Sequence, residues 1–186
     1  MGKQMNIHLR AAKEHDIDGI LALVNGYAAE NLMLPRTAEQ VRRVLAHFLV
    51  AEQAGAVVGC GSLVELTPQL TELRSLAVAA DQRGTGLGRR LVEALVERAR
   101  AEGYDKLCAL TLQESFFNNL GFATVDRWAV SPKIWTECIY CPKFDHCDEI
   151  AVLMNLTESE TVAAERSSDV SLGLWQQLKV SRMINR

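Results

Sequence analysis

The feature that most constrains the fold of this chain is a glycine-rich segment between an apolar, strand-like run and a strongly amphipathic helical pattern. The segment is Arg83-Gly84-Thr85-Gly86-Leu87-Gly88, and Arg89 and Arg90 follow it directly. Closely spaced glycines let the backbone approach a ligand, and the free N–H groups in a helix's first turn attract phosphate. The segment therefore predicts a strand–loop–helix unit that binds a pyrophosphate.

Two other glycine-rich motifs fit this segment poorly. The phosphate loop of nucleotide hydrolases requires a Lys-Ser or Lys-Thr pair after its last glycine, and none follows here. The dinucleotide fingerprint requires unequal glycine spacing, whereas Gly84, Gly86 and Gly88 are evenly spaced. A glycine turn that serves only packing is the remaining alternative.

The pattern of apolar residues predicts an α/β domain with one central, mixed but mostly antiparallel sheet and flanking helices. The expected strands cover 5–11, 48–52, 56–66, 70–79, 106–112, 122–127 and 150–156. The expected helices cover 17–28, a segment that starts with a Thr37–Gln40 capping box, a segment that starts at Leu87, and 114–120. Arg36 then lies on a turn between the first two helices.

Length and composition limit the domain organisation and the partners. A chain of 186 residues that is 48% hydrophobic suits one compact domain, which we place at 5–157, followed by a tail at 158–186 with a possible docking helix. A net charge of -3 favours neither nucleic acid nor an anionic membrane as a partner. We expect a cytoplasmic protein, because no secretory signal or membrane-spanning apolar run is evident.

Two motifs of this chain resemble the signature of the GNAT family of N-acetyltransferases. Arg83, Gly86 and Gly88 match the family pattern Arg/Gln-x-x-Gly-x-Gly/Ala after a strand, and "FFNNLGF" at 116–122 matches its short helix ending in Gly-Phe. The resemblance implies the GNAT fold and acetyl-CoA as cosubstrate, with its pyrophosphate on the loop amides. The cosubstrate site implied in this way comprises Leu76, Ala77, Val78, Arg83, Gly84, Thr85, Gly86, Leu87, Gly88, Arg89 and Phe117.

Further motifs point to a narrower group within that family. They are "LPRT" at 34–37, "ELRSLAV" at 72–78, "PKIW" at 132–135 and "CPKFDHCDEIA" at 141–151. These are similar to motifs of the short, stand-alone amino-acid N-acetyltransferases, which resemble the acetyltransferase domain of N-acetylglutamate synthase. The resemblance implies acetylation of the α-amino group of L-glutamate, the first step of arginine biosynthesis, and a possible homodimer. Glutamine or another amino acid is the next acceptor to consider.

An acidic amino acid requires fixed cations, and the planar guanidinium of arginine suits a carboxylate. The resemblance assigns Arg36 to the substrate carboxylate, and Arg74 and Lys133 are further candidate ligands. Arg74 shares a strand face with Glu72 if no bulge separates them. Each cation could instead be an ordinary surface charge, and Glu72 and Arg74 could be a simple ion pair.

Attack on a thioester requires a neutral amine, so a base must remove a proton from the acceptor. Glu72 is the candidate base, although Arg74 beside it would oppose the rise in pKa that burial brings. A backbone N–H near Val78 could stabilise the oxyanion if a bulge turns it toward the cleft. Many GNAT enzymes have a tyrosine as general acid where this chain has Phe117, so solvent protonation or unassisted departure of the thiolate is expected.

Four potential metal ligands lie close together, at Cys138, Cys141, His146 and Cys147. A structural zinc site, a packed cluster of reduced thiols and a redox-sensitive disulfide are all possible, and the adjacency of His146 and Cys147 counts against zinc. We expect no metal.

Two other functions are compatible with the sequence. One is acetylation of a polyamine, a drug or a protein amine, which an acidic acceptor cleft would favour. The other is a non-catalytic acetyl-CoA sensor that docks a partner, for which Phe117 is the only support.

Overall fold

The computed structural model describes residues 6–157, which form a seven-stranded sheet flanked by helices. The strands are β1 (His8–Ala11), β2 (Phe48–Gln53), β3 (Ala56–Thr67), β4 (Leu70–Val78), β5 (Lys106–Thr111), β6 (Ala123–Val125) and β7 (Ile150–Asn155). The helices are α1 (Ile17–Ala29), α2 (Ala38–Arg43), α3 (Leu87–Ala101), α4 (Glu114–Asn118) and α5 (Ser131–Thr136). The predicted α/β class is confirmed. The expected tail at 158–186, with its docking helix, lies outside the described residues.

The sheet is divided by one short parallel pairing. Its strand order is β1-β2-β3-β4-β5-β7-β6, and every neighbouring pair is antiparallel except β4 and β5. Those two strands pair only from Leu70 with Lys106 to Glu72 with Cys108. Beyond Glu72 they continue without pairing, so a cleft opens between them.

The predicted Thr37 cap is confirmed, and the turn between β2 and β3 has the backbone of a tight hairpin. Ala54 and Gly55 have φ angles of 52° and 84°, the left-handed pair that a tight two-residue hairpin requires between β2 and β3. Thr37 caps α2, because its hydroxyl accepts from the Gln40 N–H at 3.2 Å and its own N–H donates to the Gln40 side chain at 2.9 Å.

The core lies on both faces of the sheet. On one face α1 and α2 pack against Phe48, Val50 and the β3–β4 region. On the other face α3 lies close to β3, because a Cβ at Gly59 or Gly61 would stand 2.9 Å or 2.8 Å from the ends of leucine side chains on α3. The buried face of α3 consists of Leu87, Leu91, Val92, Leu95, Val96 and Ala99. Within residues 6–157, no helix is long and apolar enough to cross a membrane.

The segment from 122 to 149 departs most from the sequence prediction. The expected strand at 122–127 is only three residues long, Ala123–Val125, and the chain then forms α5 and three single 3-10 turns. Asp126 starts this segment by accepting a hydrogen bond from the Trp128 N–H at 2.8 Å. Elements this short carry too few residues to show a hydrophobic period, so the sequence did not reveal them.

Candidate functional site

The cleft between β4 and β5 is a single cavity of about 830 Å³. This volume is typical of sites for small molecules, which span roughly 300–1,000 Å³. We call one part the glycine-loop end, which Gly84, Gly86 and Gly88 line together with Tyr27 and Val78. The other part is the charged end, lined by the ionisable residues Arg36, Glu72, Arg74, Arg127, Lys133, Glu137 and Glu149.

The glycine loop has the geometry that its sequence predicts. Gly84 and Gly86 have φ angles of 76° and 86°, which are costly for residues with a Cβ, and Gly86 is the N-cap of α3. The first N–H groups of α3 have no partner within the helix and can therefore donate to a bound anion. The Thr85 hydroxyl donates to the Gln82 carbonyl at 2.7 Å, which stabilises the turn. The loop can thus offer several backbone donors to an anion.

Tyr27 connects the glycine loop to the end of β4, a role that sequence analysis missed. Its hydroxyl donates to the Val78 carbonyl at 2.8 Å and accepts from the Arg83 Nε at 3.0 Å. The Arg83 guanidinium also lies over the Tyr27 ring, with 4.7 Å between its central carbon and the ring centroid. The sequence shows this tyrosine only as one more apolar position of α1.

A β-bulge lies in β4, as the sequence analysis required for an oxyanion site. Cys60 pairs with Ala77 but Ser62 pairs with Arg74, so Gly61 alone stands opposite Ser75 and Leu76. Ser75 has a φ of 51°, an unusual value for a serine. The bulge turns the backbone around residues 75 and 76 at the edge of the cleft, where both residues line the cavity. It follows Arg74, so Glu72 and Arg74 share a face as predicted.

Four charged side chains form a compact cluster that we call the charge quartet: Glu72, Arg74, Lys133 and Glu137. Glu72 is 2% exposed, and its two carboxylate oxygens are taken separately by Arg74 and Lys133. Glu137 bridges the same two cations, at 2.6 Å from Arg74 Nη1 and 3.6 Å from Lys133. The quartet brings three predicted site residues together with Glu137, which sequence analysis missed.

Burial and ion pairing shift the pKa values of the quartet's side chains in opposite directions. Burial would raise the pKa of Glu137, but Arg74 and Lys133, and more distantly Arg36, hold it below its usual value. Burial would lower the pKa of Arg74, but Glu72 and Glu137 raise it further than burial lowers it. Both groups are therefore charged at neutral pH.

Arg36 is placed by its backbone, leaving its side chain available. The Asn25 amide accepts from the Arg36 N–H at 2.9 Å and donates to the Arg36 carbonyl at 3.0 Å. Within residues 6–157 the Arg36 side chain makes no hydrogen bond or ion pair, and it lines the charged end of the cleft. Arg74 also has unused capacity, because its buried Nη2 has no hydrogen-bond partner.

Two further charged residues of the cleft were missed by sequence analysis. Arg127 lies over the rings of Trp128 and Phe144, at 5.8 Å and 5.1 Å from their centroids. Glu149 directly precedes β7 and lines the cleft. Arg127 lies in none of the motifs described above, and Glu149 lies in the "CPKFDHCDEIA" motif without a role having been assigned to it, so the fold is needed to place both in the cleft.

Phe117 is a core residue at the edge of the cavity. It is 4% exposed and packs edge-to-face on Phe116 and Phe122, with 5.2 Å between ring centroids in each pair. Its ring carries no proton to donate, so this position supplies shape and apolar surface only.

Three of the cysteines, Cys138, Cys141 and Cys147, are free and line the charged end of the cleft. Burial raises the pKa of Cys138, and Lys133 works against that rise. Among the residues that the structure describes, no group of three or more His, Cys, Asp or Glu side chains could hold a metal ion.

Comparison with known proteins identifies the family. The profile of the Acetyltransferase (GNAT) family matches residues 16–133. An uncharacterized N-acetyltransferase of Chlorobaculum tepidum is 37% identical over 148 residues, covering 80% of this chain and 96% of that protein. An amino-acid acetyltransferase of Mycobacterium tuberculosis is 31% identical over 140 residues, covering 74% of this chain and 79% of that protein. N-acetylglutamate synthase from Neisseria gonorrhoeae, complexed with coenzyme A and N-acetyl-glutamate, matches with a TM-score of 0.72 at 23% identity, over 84% of this chain and 37% of that one.

The divided sheet and the glycine loop, together with these matches, define an acyltransferase of the α/β class. The chain belongs to the Acetyltransferase (GNAT) family, as the sequence resemblance predicted. Its cosubstrate is acetyl-CoA, the acyl donor of that family.

Proposed function

We propose that this acetyltransferase acts on the α-amino group of an amino acid and that L-glutamate is its acceptor. The relative from Mycobacterium tuberculosis is named an amino-acid acetyltransferase, and the Neisseria synthase holds N-acetyl-glutamate, which support this choice. The reaction would be the first step of arginine biosynthesis, in the cytoplasm. A homodimer is part of the proposal, and light scattering of the purified protein tests it.

The glycine-loop end would hold the cosubstrate. The loop from Gly84 to Arg89 offers backbone donors to the pyrophosphate, and Arg83 adds charge that Tyr27 holds in place. The pantetheine arm would follow the backbone of the β4 end, from Leu76 through Ala77 to Val78. Leu87 is 1% exposed, so it supplies an amide and anchors the helix in the core.

The observation that carries the glutamate proposal is the set of guanidinium groups left unpaired in the cleft. Among residues 6–157 the side chains of Arg36 and Arg127 make no ion pair or hydrogen bond, and the Nη2 of Arg74 is buried without a hydrogen bond. An unsatisfied buried donor costs roughly 1–3 kcal/mol, which a bound carboxylate would relieve. A dicarboxylic amino acid can satisfy more than one of these groups.

The quartet defines how Glu72 and Lys133 contribute. Glu72 would have to give up an ion pair before it could take a proton from an amine, so we assign it to holding Arg74 and Lys133 in position. Lys133, which is 12% exposed, is held in its ion pair with Glu72 and would add positive potential to the acceptor site. The bulge at Ser75 exposes backbone that can stabilise the oxyanion, and the thiolate leaves without a side-chain acid, because Phe117 has no proton to donate.

Release of free coenzyme A by the purified full-length protein tests the proposal. Acetyl-CoA is supplied with L-glutamate, L-glutamine, L-aspartate, L-lysine or spermidine in separate reactions, and mass spectrometry identifies the product. We expect N-acetyl-glutamate to form with the highest kcat/KM. Turnover of spermidine or lysine in preference to the acidic acceptors would refute an acidic acceptor.

Arg36→Ala tests the carboxylate contact directly. Loss of a charged hydrogen bond of about 1.5–3 kcal/mol corresponds to a rise in KM for glutamate of roughly 10- to 150-fold, with KM for acetyl-CoA unchanged. Arg43→Ala is the matched control, because that side chain is 72% exposed and, within residues 6–157, pairs only with Glu39. An unchanged KM for glutamate in Arg36→Ala would remove Arg36 from the site.

A further inference from the structure

We propose that Glu149 is the general base that takes the proton from the ammonium group of the acceptor. This inference rests on the proposed function, since it concerns an amine that enters the charged end of the cleft. It replaces Glu72, which the sequence analysis selected, with a carboxylate to which the sequence analysis assigned no role.

The first reason is position. Glu149 lies directly before β7, and the first residue of that strand, Ile150, pairs with Thr111, the last residue of β5. This end of β5 is where the strand has separated from β4, so Glu149 lies at the opening of the cleft. It lines the same cavity as Arg36 and the charge quartet. When the carboxylate of an acceptor binds Arg36, the Glu149 carboxylate therefore lies in the same cavity as the acceptor.

The second reason is availability. Within residues 6–157 the Glu149 carboxylate makes no hydrogen bond or ion pair, whereas both oxygens of Glu72 are paired with cations. Glu137 is engaged by Arg74 and Lys133 in the same way. Protonation of Glu72 or Glu137 would remove the charge that holds its ion pairs, whereas among the described residues that line the cleft Glu149 is the glutamate that can take a proton without such a loss.

The third reason is the balance of charges around the group. Glu149 is exposed, yet the surrounding protein displaces enough water from its carboxyl to raise the pKa above the usual value, and Lys133 opposes this. Glu72 and Asp148 raise the pKa further, and Lys143 lowers it. A raised pKa makes a carboxylate a better base for an ammonium group at neutral pH. The thiols of Cys138, Cys141 and Cys147 line the same cavity.

The proposed step balances as follows. Glu149 accepts one proton from the acceptor ammonium, and the nitrogen lone pair attacks the thioester carbonyl carbon. A C–N bond forms, the C–S bond breaks, and its electron pair leaves with the coenzyme A sulfur as a thiolate. The amide nitrogen loses its second proton to solvent, and Glu149 later releases its own proton at the open mouth of the cleft.

Glu149→Gln tests the assignment by steady-state kinetics with glutamate between pH 5 and 10. General-base catalysis contributes roughly 10²- to 10⁴-fold, so kcat should fall by at least about 100-fold. The acid limb that depends on Glu149 should disappear, and the residual rate should rise with pH as free amine accumulates. The KM for acetyl-CoA should not change, because the glycine loop is untouched, and an unchanged KM also shows that the variant is folded.

Asp148→Asn is the matched control, since it removes a neighbouring carboxylate that does not line the cleft. It should keep kcat within a few-fold of the wild type and retain the acid limb, moved to lower pH because Asp148 raises the pKa of Glu149. Glu149→Asp, which keeps a carboxylate on a shorter chain, should recover part of the lost rate.

The outcomes separate this inference from the proposed function. If the wild type acetylates glutamate and the kcat of Glu149→Gln is within about 3-fold of the wild-type kcat, Glu149 is not the general base and the acceptor proposal still holds. If the wild type prefers another amine, the acceptor proposal fails, and the same variants measured on that amine decide the role of Glu149. Absence of turnover with every amine would overturn both.

Discussion

The charge quartet should behave as one buried unit, and a double-mutant cycle between Glu72 and Arg74 measures this. Their side chains are 3% and 11% exposed, so solvent screens their interaction weakly. Removing one member of a buried ion pair costs about 3–5 kcal/mol, because the partner charge remains buried. Arg74→Gln leaves Glu72 with Lys133, so we expect about 3 kcal/mol, the lower end of that range.

Glu72→Gln should destabilise the protein less, because Arg74 and Lys133 both keep Glu137 as a partner. The double variant should cost less than the sum of the single variants, with an interaction energy of roughly 1–3 kcal/mol. Urea unfolding followed by circular dichroism at pH 7 gives the three free energies, provided that the slopes with urea agree.

A second cycle between Glu39 and Arg43 is the control, because those side chains are 61% and 72% exposed. Their coupling should be no more than about 0.5 kcal/mol. If the Glu72 and Arg74 changes add within about 0.5 kcal/mol, the two residues do not act as a unit and the quartet is not the support that we describe.

Two other predictions concern the glycine loop and the first helix. Gly86→Ala should destabilise the protein by about 1–2 kcal/mol and raise the KM for acetyl-CoA, because Gly86 has a φ of 86°. The control is Gly26→Ala, on an exposed face of α1 with no atom within 4 Å of the new Cβ, which should instead stabilise the protein by up to about 1 kcal/mol. Wild-type-like unfolding of Gly86→Ala would contradict a strained loop. Hydrogen bonding from Arg10 lowers the pKa of the buried Asp16. The contribution of Asp16 to stability should therefore be present above its unfolded-state pKa of about 4 and be lost as pH falls through its folded-state pKa. Urea midpoints between pH 2 and 6 should fall less steeply in Asp16→Asn than in the wild type.

Sequence reasoning predicted the features that depend on short-range rules. The Gly86 turn, the Thr37 cap and the buried stripe of α3 each follow from residues within a few positions of one another, and the structure has all three. The GNAT fold was also predicted, because the glycine loop and the "FFNNLGF" motif at 116–122 occupy fixed places in the element order of that family.

The charged end could not be predicted in the same way, because its geometry depends on contacts between distant segments. Arg74 on β4 meets Glu137 beyond α5, and Asn25 on α1 fixes the backbone of Arg36. The segment from 122 to 149 places Arg127 in the cleft, although its sequence has no clear hydrophobic period. From the sequence, Glu72 was the candidate base or the partner of Arg74 in an ion pair, and the second cation, Lys133, was not predicted to pair with it.

The charged side chains of the cleft that lie outside the quartet match the acceptor that we propose. They are Arg36, Arg127 and Glu149, two cations and one carboxylate at the charged end of the cleft. L-Glutamate carries two carboxylates and one ammonium group, so each of its charges has a counterpart of opposite sign. Glutamine lacks the second carboxylate and would leave one guanidinium without an anion, while a polyamine would place several cations against two arginines. Electrostatic complementarity discriminates in this way by penalising unpaired and like charges, so the preference for glutamate should weaken as salt concentration rises at these solvent-accessible groups.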